Sequence, residues 1–167
     1  TCEVAREPGN AIGAATGVTA AVLLYWSGQW DDAIAELSSV DQDGPGITYA
    51  GLRERGPLIL WHGVAALLAV RRNDPATASE HVEAGSALPV ETVADRENRD
   101  FLLAAQALAA ERGGALRLAV SRFGGILDQR PGEMTLTHQW LPDLVRVSLA
   151  VGDHAAVRAA AEASRRE

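Results

Sequence analysis

Four histidines have the widest chemical repertoire in the chain, because imidazoles bind metals and serve as general acids and bases. They are spread along the sequence at His62, His81, His138 and His154. None stands four residues from another on a helix, and Cys2 is the only cysteine. The spacing predicts no metal site. We expect His62 to pack between helices and the other three to be solvated or partly buried.

Nucleophile and phosphate motifs are also missing. The candidate nucleophiles Ser27, Ser79 and Ser121 do not lie in a Gly-x-Ser-x-Gly turn, and the sequence shows no assembled catalytic triad. A P-loop needs a lysine to reach the phosphates. All 15 basic residues here are arginines. The sequence therefore predicts neither an enzyme nor a bound cofactor.

Charge and hydropathy exclude two further classes of partner. The formal net charge is −7, without a basic run to neutralise phosphates, so we expect no contact with nucleic acid. No stretch reaches the roughly 18 consecutive apolar residues that a membrane span requires, and no signal peptide is recognisable at the start. These features predict a cytoplasmic protein that does not contact a membrane.

A turn-and-helix pattern repeats along the chain. It has a turn glycine, a small residue five places later, apolar residues four and seven places beyond that, and a closing proline: Gly28, Ala33, Leu37, Val40 and Pro45. The spacing returns in a second copy: Gly114, Ala119, Phe123, Ile126 and Pro131. Two weaker copies follow Asn73 (Ala78, Val82) and Gly152 (Val157, Ala161). Since helices approach closely only where side chains are small, Ala33, Ala78 and Ala119 are predicted to face a partner helix.

An apolar helix is predicted before each turn, over residues 14–27, 57–72, 98–112 and 138–151. Asp74 before Pro75, and Asp153 after Gly152, predict helix N-caps. Ala, Leu and Val dominate the apolar residues and aromatics make up only 5%. Both observations favour an all-α fold in one domain spanning residues 1–167, with an extra loop or a short helix in the linker 41–56.

Two local features are open to interpretation. Glu91, Asp95, Glu97 and Asp100 alternate with arginines and are most simply a solvated helix face. Gly124-Gly125 falls inside a predicted helix, where each glycine costs roughly 1 kcal/mol relative to alanine. Either a neighbouring helix packs closely against this pair, or the helix bends there.

The repeat resembles the tetratricopeptide repeat, in which small and aromatic residues occupy these offsets and a proline closes the unit. The resemblance implies an α-solenoid of about four antiparallel helix pairs, at approximately residues 14–45, 57–89, 98–131 and 138–166. The turn-to-turn distances exceed the usual ~34-residue unit. The first-helix tryptophan, glycine and tyrosine of the consensus are absent.

A narrower resemblance lies in residues 52–57 with 61–67, and in residues 141–146 followed by Gly152-Asp153. These segments are similar to the repeat region of large ATP-binding LuxR-type bacterial transcriptional regulators. In that family an ATPase module precedes the repeats and a helix-turn-helix module follows them. The start at Thr1 and the helix-like run 160–167 fit an internal fragment of such a protein.

The tetratricopeptide resemblance places the binding surface on the first helix of each pair. The implied exposed positions are Tyr25, Trp26, Arg71, Glu111, Arg112 and Arg146. Aromatic rings with guanidinium groups suit an acidic peptide or an anionic small molecule. The alternatives are that Trp26 belongs to the core, that the arginines are ordinary surface charges, or that the partner binds the convex side or the solenoid ends.

Three functions are compatible with these features. The leading hypothesis is a sensor or scaffold segment of a transcriptional regulator, which binds a protein, a peptide or a small effector and changes how the flanking modules assemble. The second is a stand-alone adaptor that links two proteins. The third, an enzyme with a helical-toroid tunnel, lacks any recognisable catalytic constellation.

Overall fold

The computed structural model describes residues 11–42, 48–49, 52–53, 55–127 and 139–165, and within these ranges the fold is all-α apart from one minimal β-hairpin. The helices are α1 (Ala11–Trp26), α2 (Trp30–Gln42), α3 (Arg55–Arg71), α4 (Pro75–Ser86), α5 (Val93–Arg112), α6 (Leu116–Leu127), α7 (Leu141–Ala150) and α8 (His154–Ala163). None of these helices is long and apolar enough to cross a membrane.

Consecutive helices pair into four antiparallel hairpins, and the predicted turn residues connect them. Gly28, Asn73, Gly114 and Gly152 all have φ between 61° and 78°. In each turn the amide of this residue donates to the carbonyl three positions back, and the next amide donates to the carbonyl five positions back. This is the Schellman arrangement, which requires a left-handed residue after the helix. The turn prediction is confirmed at all four positions.

The predicted caps are also present. The Asp74 carboxylate accepts from the Thr77 amide, and that of Asp153 accepts from the Ala156 amide. The hydrogen bonds from Thr77 lower the pKa of Asp74. Helix α5 begins earlier than predicted, because the side chains of Thr92 and Asp95 each accept from the other residue's backbone in a capping box.

Each hairpin packs mainly against the next one, and α3 and α5 form the most extensive pair. Ala33, Ala78 and Ala119 are buried as predicted. A glycine outside the repeat pattern also lies at a close approach: a Cβ added at Gly63 of α3 would stand 2.6 Å from the Cβ of Phe101 in α5. Gly63 therefore contributes to the packing of the first helices without belonging to the repeat.

Two local predictions need correction, and the linker takes a form that the sequence left open. Asp95 and Asp100 are 5% and 3% exposed, so the acidic run is not wholly a solvated face. The linker 41–56, for which an extra loop or a short helix was expected, contains two short antiparallel strands, β1 (Thr48–Tyr49) and β2 (Leu52–Arg53), between the end of α2 at Gln42 and the start of α3 at Arg55. In α8 the buried residue is Ala160, whereas Ala161 is exposed. The helix is thus rotated about its axis relative to the prediction. An alanine-rich helix tolerates such a rotation because the side chains on its different faces are similar in size.

Gly124 and Gly125 lie within the continuous helix α6. Among the described residues, and apart from the backbone of α6 itself, no atom stands within 4 Å of a Cβ added at Gly124, and only a methyl carbon of Leu103 at 4.0 Å approaches one at Gly125. Close packing is thus wrong as the reason for this pair, and the structure offers no other.

Gly124→Ala is expected to raise the free energy of unfolding by about 0.5–1 kcal/mol, because alanine restricts the unfolded chain and has the higher helix propensity. Urea unfolding followed by circular dichroism measures the change. A loss of stability would show that the space around Gly124 is filled in solution.

Candidate ligand-binding site

Five of the six candidate residues lie at the carboxyl ends of the first helices α1, α3 and α5. Arg71 and Arg112 each stand two positions before a turn residue, and Tyr25 and Glu111 stand three before theirs. Because the turns repeat, these positions recur at equivalent places on α1, α3 and α5. Arg146 lies farther from its turn, within α7.

Arg146 joins α7 to α5 through two carboxylates. Its guanidinium makes a bidentate pair with Glu111, with Nη2 at 2.8 Å from Oε2, and Nη2 also lies 2.8 Å from Oδ1 of Asp143. The hydrogen bond from Arg146 lowers the pKa of Glu111, and the two carboxylates raise that of Arg146. The charge of Arg146 is therefore neutralised within the fold, and this side chain positions two helices.

Arg71 has a neutral partner. Its Nε donates to the hydroxyl oxygen of Tyr25 at 3.3 Å. No carboxylate of the described residues lies within 4 Å of its guanidinium nitrogens. The terminal nitrogens of Arg71 thus keep donors for a further acceptor.

Arg112 is held in a similar way. Its Nη1 donates to the side-chain oxygen of Asn73 at 3.4 Å, and its Nη2 donates to the carbonyl of Arg71 at 3.2 Å. In the described part of the chain this guanidinium, too, makes no ion pair. Both acceptors are neutral, so Arg112 can bind an anion without giving up an ion pair, although its charge also lowers the pKa of the neighbouring Glu111.

These side chains surround a cavity of about 460 Å³, here called the arginine cavity. It is lined by Val70, Arg71, Leu108, Glu111, Arg112, Asp143 and Arg146. Its volume falls within the ~300–1,000 Å³ range of small-molecule sites. Arg146 makes ion pairs with both lining carboxylates, whereas Arg71 and Arg112 make none within the described residues. The three arginines and two carboxylates of the lining leave a formal charge of +1. The cavity can accept a carboxylate or phosphate through directed N–H donors.

The aromatic candidates have structural roles. Tyr25 is 4% exposed, so the prediction that it is an exposed position is wrong. Trp26 is 38% exposed and contacts Trp140, with ring centroids 4.8 Å apart and ring planes tilted by 52°. Trp140 is buried and also meets Phe101 edge-to-face at 5.5 Å. Neither Tyr25 nor Trp26 lines the arginine cavity. Tyr25 positions Arg71, and Trp26 covers the buried tryptophan.

Two contacts had no signal in the sequence. Trp140 joins residues from α1 and α5, although it lies just before α7. The Nδ1 atoms of His62 and His81 lie 3.1 Å apart between α3 and α4, and both rings meet Trp61 edge-on. No group of three or more metal-ligating side chains occurs within the described residues. His62 packs between helices as predicted, with His81 as its unforeseen neighbour.

Ionisation of Tyr25 gives a measurable prediction. Burial raises the pKa of its phenol above the ordinary value of about 10, although Arg71 opposes the shift. The unfolded chain releases this proton first as the pH rises, so folding stability is lost upward from about pH 10. We expect a smaller alkaline loss of unfolding free energy in Tyr25→Phe, measured by urea unfolding at several pH values. Equal losses in both proteins would contradict the burial of this phenol.

Comparisons with protein-family models, with curated proteins and with solved structures give no match. The arrangement of Arg71 and Arg112 is therefore the basis for assigning a function.

Proposed function

We propose that this chain is a helical-repeat binding module of the tetratricopeptide type, and that its arginine cavity takes the carboxylate or phosphate of a peptide or small effector. The observation that carries the proposal is the pair Arg71 and Arg112. Both guanidinium groups have neutral hydrogen-bond partners, while the nearby carboxylates are engaged by Arg146. The role is recognition, without catalysis.

The charge arrangement supports an anionic ligand more than a cationic one. A carboxylate reaching Arg71 and Arg112 replaces water with charge-assisted hydrogen bonds, each worth about 1.5–3 kcal/mol. A cation is disfavoured, because the three arginines and two carboxylates that line the cavity sum to a formal charge of +1. Half-exposed ion pairs are screened by salt, so we also expect affinity to fall as ionic strength rises.

The test measures binding of citrate and of a fluorescein-labelled Asp/Glu-rich peptide, by calorimetry and by fluorescence anisotropy. We expect the double variant Arg71→Gln/Arg112→Gln to weaken binding of whichever probe associates by at least ~100-fold, because two charge-assisted contacts are lost. Arg117→Gln is the matched control, since Arg117 is an exposed arginine of α6 that lines neither the arginine cavity nor the neighbouring groove. Equal affinity in the double variant and this control would remove the arginine pair from the site.

The wider proposal is that the module is a cytoplasmic regulatory segment of a LuxR-type transcriptional regulator, acting through contacts with flanking ATPase and helix-turn-helix modules. It is supported by the resemblance of residues 52–57 and 141–146 to that family. Translation of the gene on both sides tests it. A P-loop upstream and a helix-turn-helix downstream are expected, whereas a start codon just before Thr1 and a stop after Glu167 would favour a stand-alone adaptor.

A further inference from the structure

A second cavity adjoins the first and has a different character. It has a volume of about 670 Å³ and is bounded by α4, α5 and α6; it is here called the apolar groove. Most of its lining is apolar: Val70, Pro75, Ala78, Val82, Ala109, Ala110 and Leu118. Three of these residues are alanines, and Gly113 lies beside them. Because such small residues leave the space between the helices unfilled, the groove is a consequence of the sequence.

The two cavities share Val70 and the side chain of Arg112. Arg112 therefore stands at the boundary between a polar cavity and an apolar groove. Arg122 also lines the groove and makes no ion pair within the described ranges. The lining carboxylate, Asp74, is engaged in capping α4 through the amide and hydroxyl of Thr77. Charge in the groove is thus complementary to an anion.

Two further details favour an occupied groove over a bare surface. Leu118 lines it and is 48% exposed, although it is a large apolar side chain. Gln106 also lines it, and its buried Oε1 accepts no hydrogen bond from the residues that the structure describes. A ligand in the groove would cover the leucine, and a hydroxyl or amide N–H on that ligand would satisfy the oxygen.

We propose that the ligand of this module is a small amphipathic carboxylate, with its carboxylate at Arg112 and its apolar body in the groove between α4 and α6. This inference rests on the anion site proposed above and narrows its ligand. An acidic peptide would use the arginines without needing an apolar groove beside them. A purely apolar ligand would leave the guanidinium of Arg112 without an anionic partner.

The experiment is a calorimetric titration of the protein with acetate, hexanoate and decanoate, each kept below its micelle concentration, and with decanol. Affinity is expected to rise about two- to fourfold for each added methylene that the groove covers. Decanol is expected to bind at least ~10-fold more weakly than decanoate, because it cannot pair with the guanidinium. No chain-length dependence, or equal binding of decanol, would overturn the proposal.

Substitutions in the groove test where the alkyl chain of decanoate binds. Ala109→Trp fills the groove from an exposed position, and Leu118→Glu places an anion at its rim. Each is expected to weaken decanoate binding at least ~10-fold. Their matched controls, Ala159→Trp and Leu149→Glu, are exposed positions outside both cavities and should bind as wild type does. Circular dichroism and urea unfolding verify that each variant is folded. Retained affinity in both groove variants would place decanoate elsewhere and overturn the proposal.

The two proposals fail in different ways. Citrate binding that depends on Arg71 and Arg112, together with no chain-length effect, would leave the anion site standing and remove the groove. Decanoate binding that is blocked by Ala109→Trp but unaffected by Arg71→Gln/Arg112→Gln would instead remove the anion site, and with it the proposed contact between the carboxylate and Arg112, leaving an apolar groove alone. Preferential binding of the labelled acidic peptide over decanoate would identify a peptide as the occupant and overturn the amphipathic ligand.

Discussion

Trp140→Ala is expected to lower the free energy of unfolding by about 3–5 kcal/mol. The indole is 2% exposed and contacts Trp26 and Phe101, so its removal leaves a cavity bordered by residues of α1 and α5. A loss of this size is a large fraction of the total stability of an ordinary domain, about 5–15 kcal/mol. Urea unfolding monitored by circular dichroism measures it.

Trp26→Ala is the matched control for this change. This substitution also removes an indole, the one on the other side of the contact. Because Trp26 is 38% exposed, its removal leaves no enclosed cavity. We expect a loss of about 1–2 kcal/mol, because less apolar surface returns to water. If both substitutions had equal and small effects, Trp140 would not be buried between α1 and α5 in solution.

Gly63→Ala is expected to destabilise the fold by about 1–3 kcal/mol, even though alanine is the better helix former. The new Cβ would lie 2.6 Å from the Cβ of Phe101 and 3.2 Å from the backbone nitrogen of Leu102. Neither atom belongs to the end of a flexible side chain, so α3 and α5 would have to separate. Thermal and urea unfolding measure the loss.

The opposite sign is expected for the same substitution at Gly124, where the added methyl group meets no atom of another described element within 4 Å. Comparing Gly63→Ala with Gly124→Ala separates the effect of packing on stability from that of helix propensity, because both glycines lie inside helices. Stabilisation by Gly63→Ala would mean that α3 and α5 are farther apart in solution than in the structure.

The elements that the sequence predicts well depend on neighbours along the chain. The turns at Gly28, Asn73, Gly114 and Gly152 follow from a local need for a positive φ, and the caps at Asp74 and Asp153 follow from free amides at helix starts. The boundaries of the hairpins could therefore be predicted from residue types alone. The places of Arg71 and Arg112 were predictable for the same reason, since both occupy one position of a repeated hairpin.

What the sequence could not predict depends on how one hairpin is rotated against the next. Arg146 reaches Glu111 because of the angle between α7 and α5, which helical periodicity does not determine. Burial of Tyr25 and pairing of His62 with His81 depend on the same rotations. Asp95 was misread because alternating charges indicate a surface, whereas a capping box draws this carboxylate inward.

The contact between Trp26 and Trp140 also bears on how the protein unfolds. In a linear array of repeats each unit touches only its neighbours, so the ends can fray independently and unfolding spreads step by step. Here the Trp26 ring of the first hairpin contacts the Trp140 ring, which immediately precedes the fourth. Separating the first hairpin from Trp140 must break this long-range contact, here called the tryptophan closure. The described hairpins should therefore unfold in one cooperative transition. When the tryptophan closure is lost, the first and fourth hairpins should exchange their amide hydrogens independently of the rest.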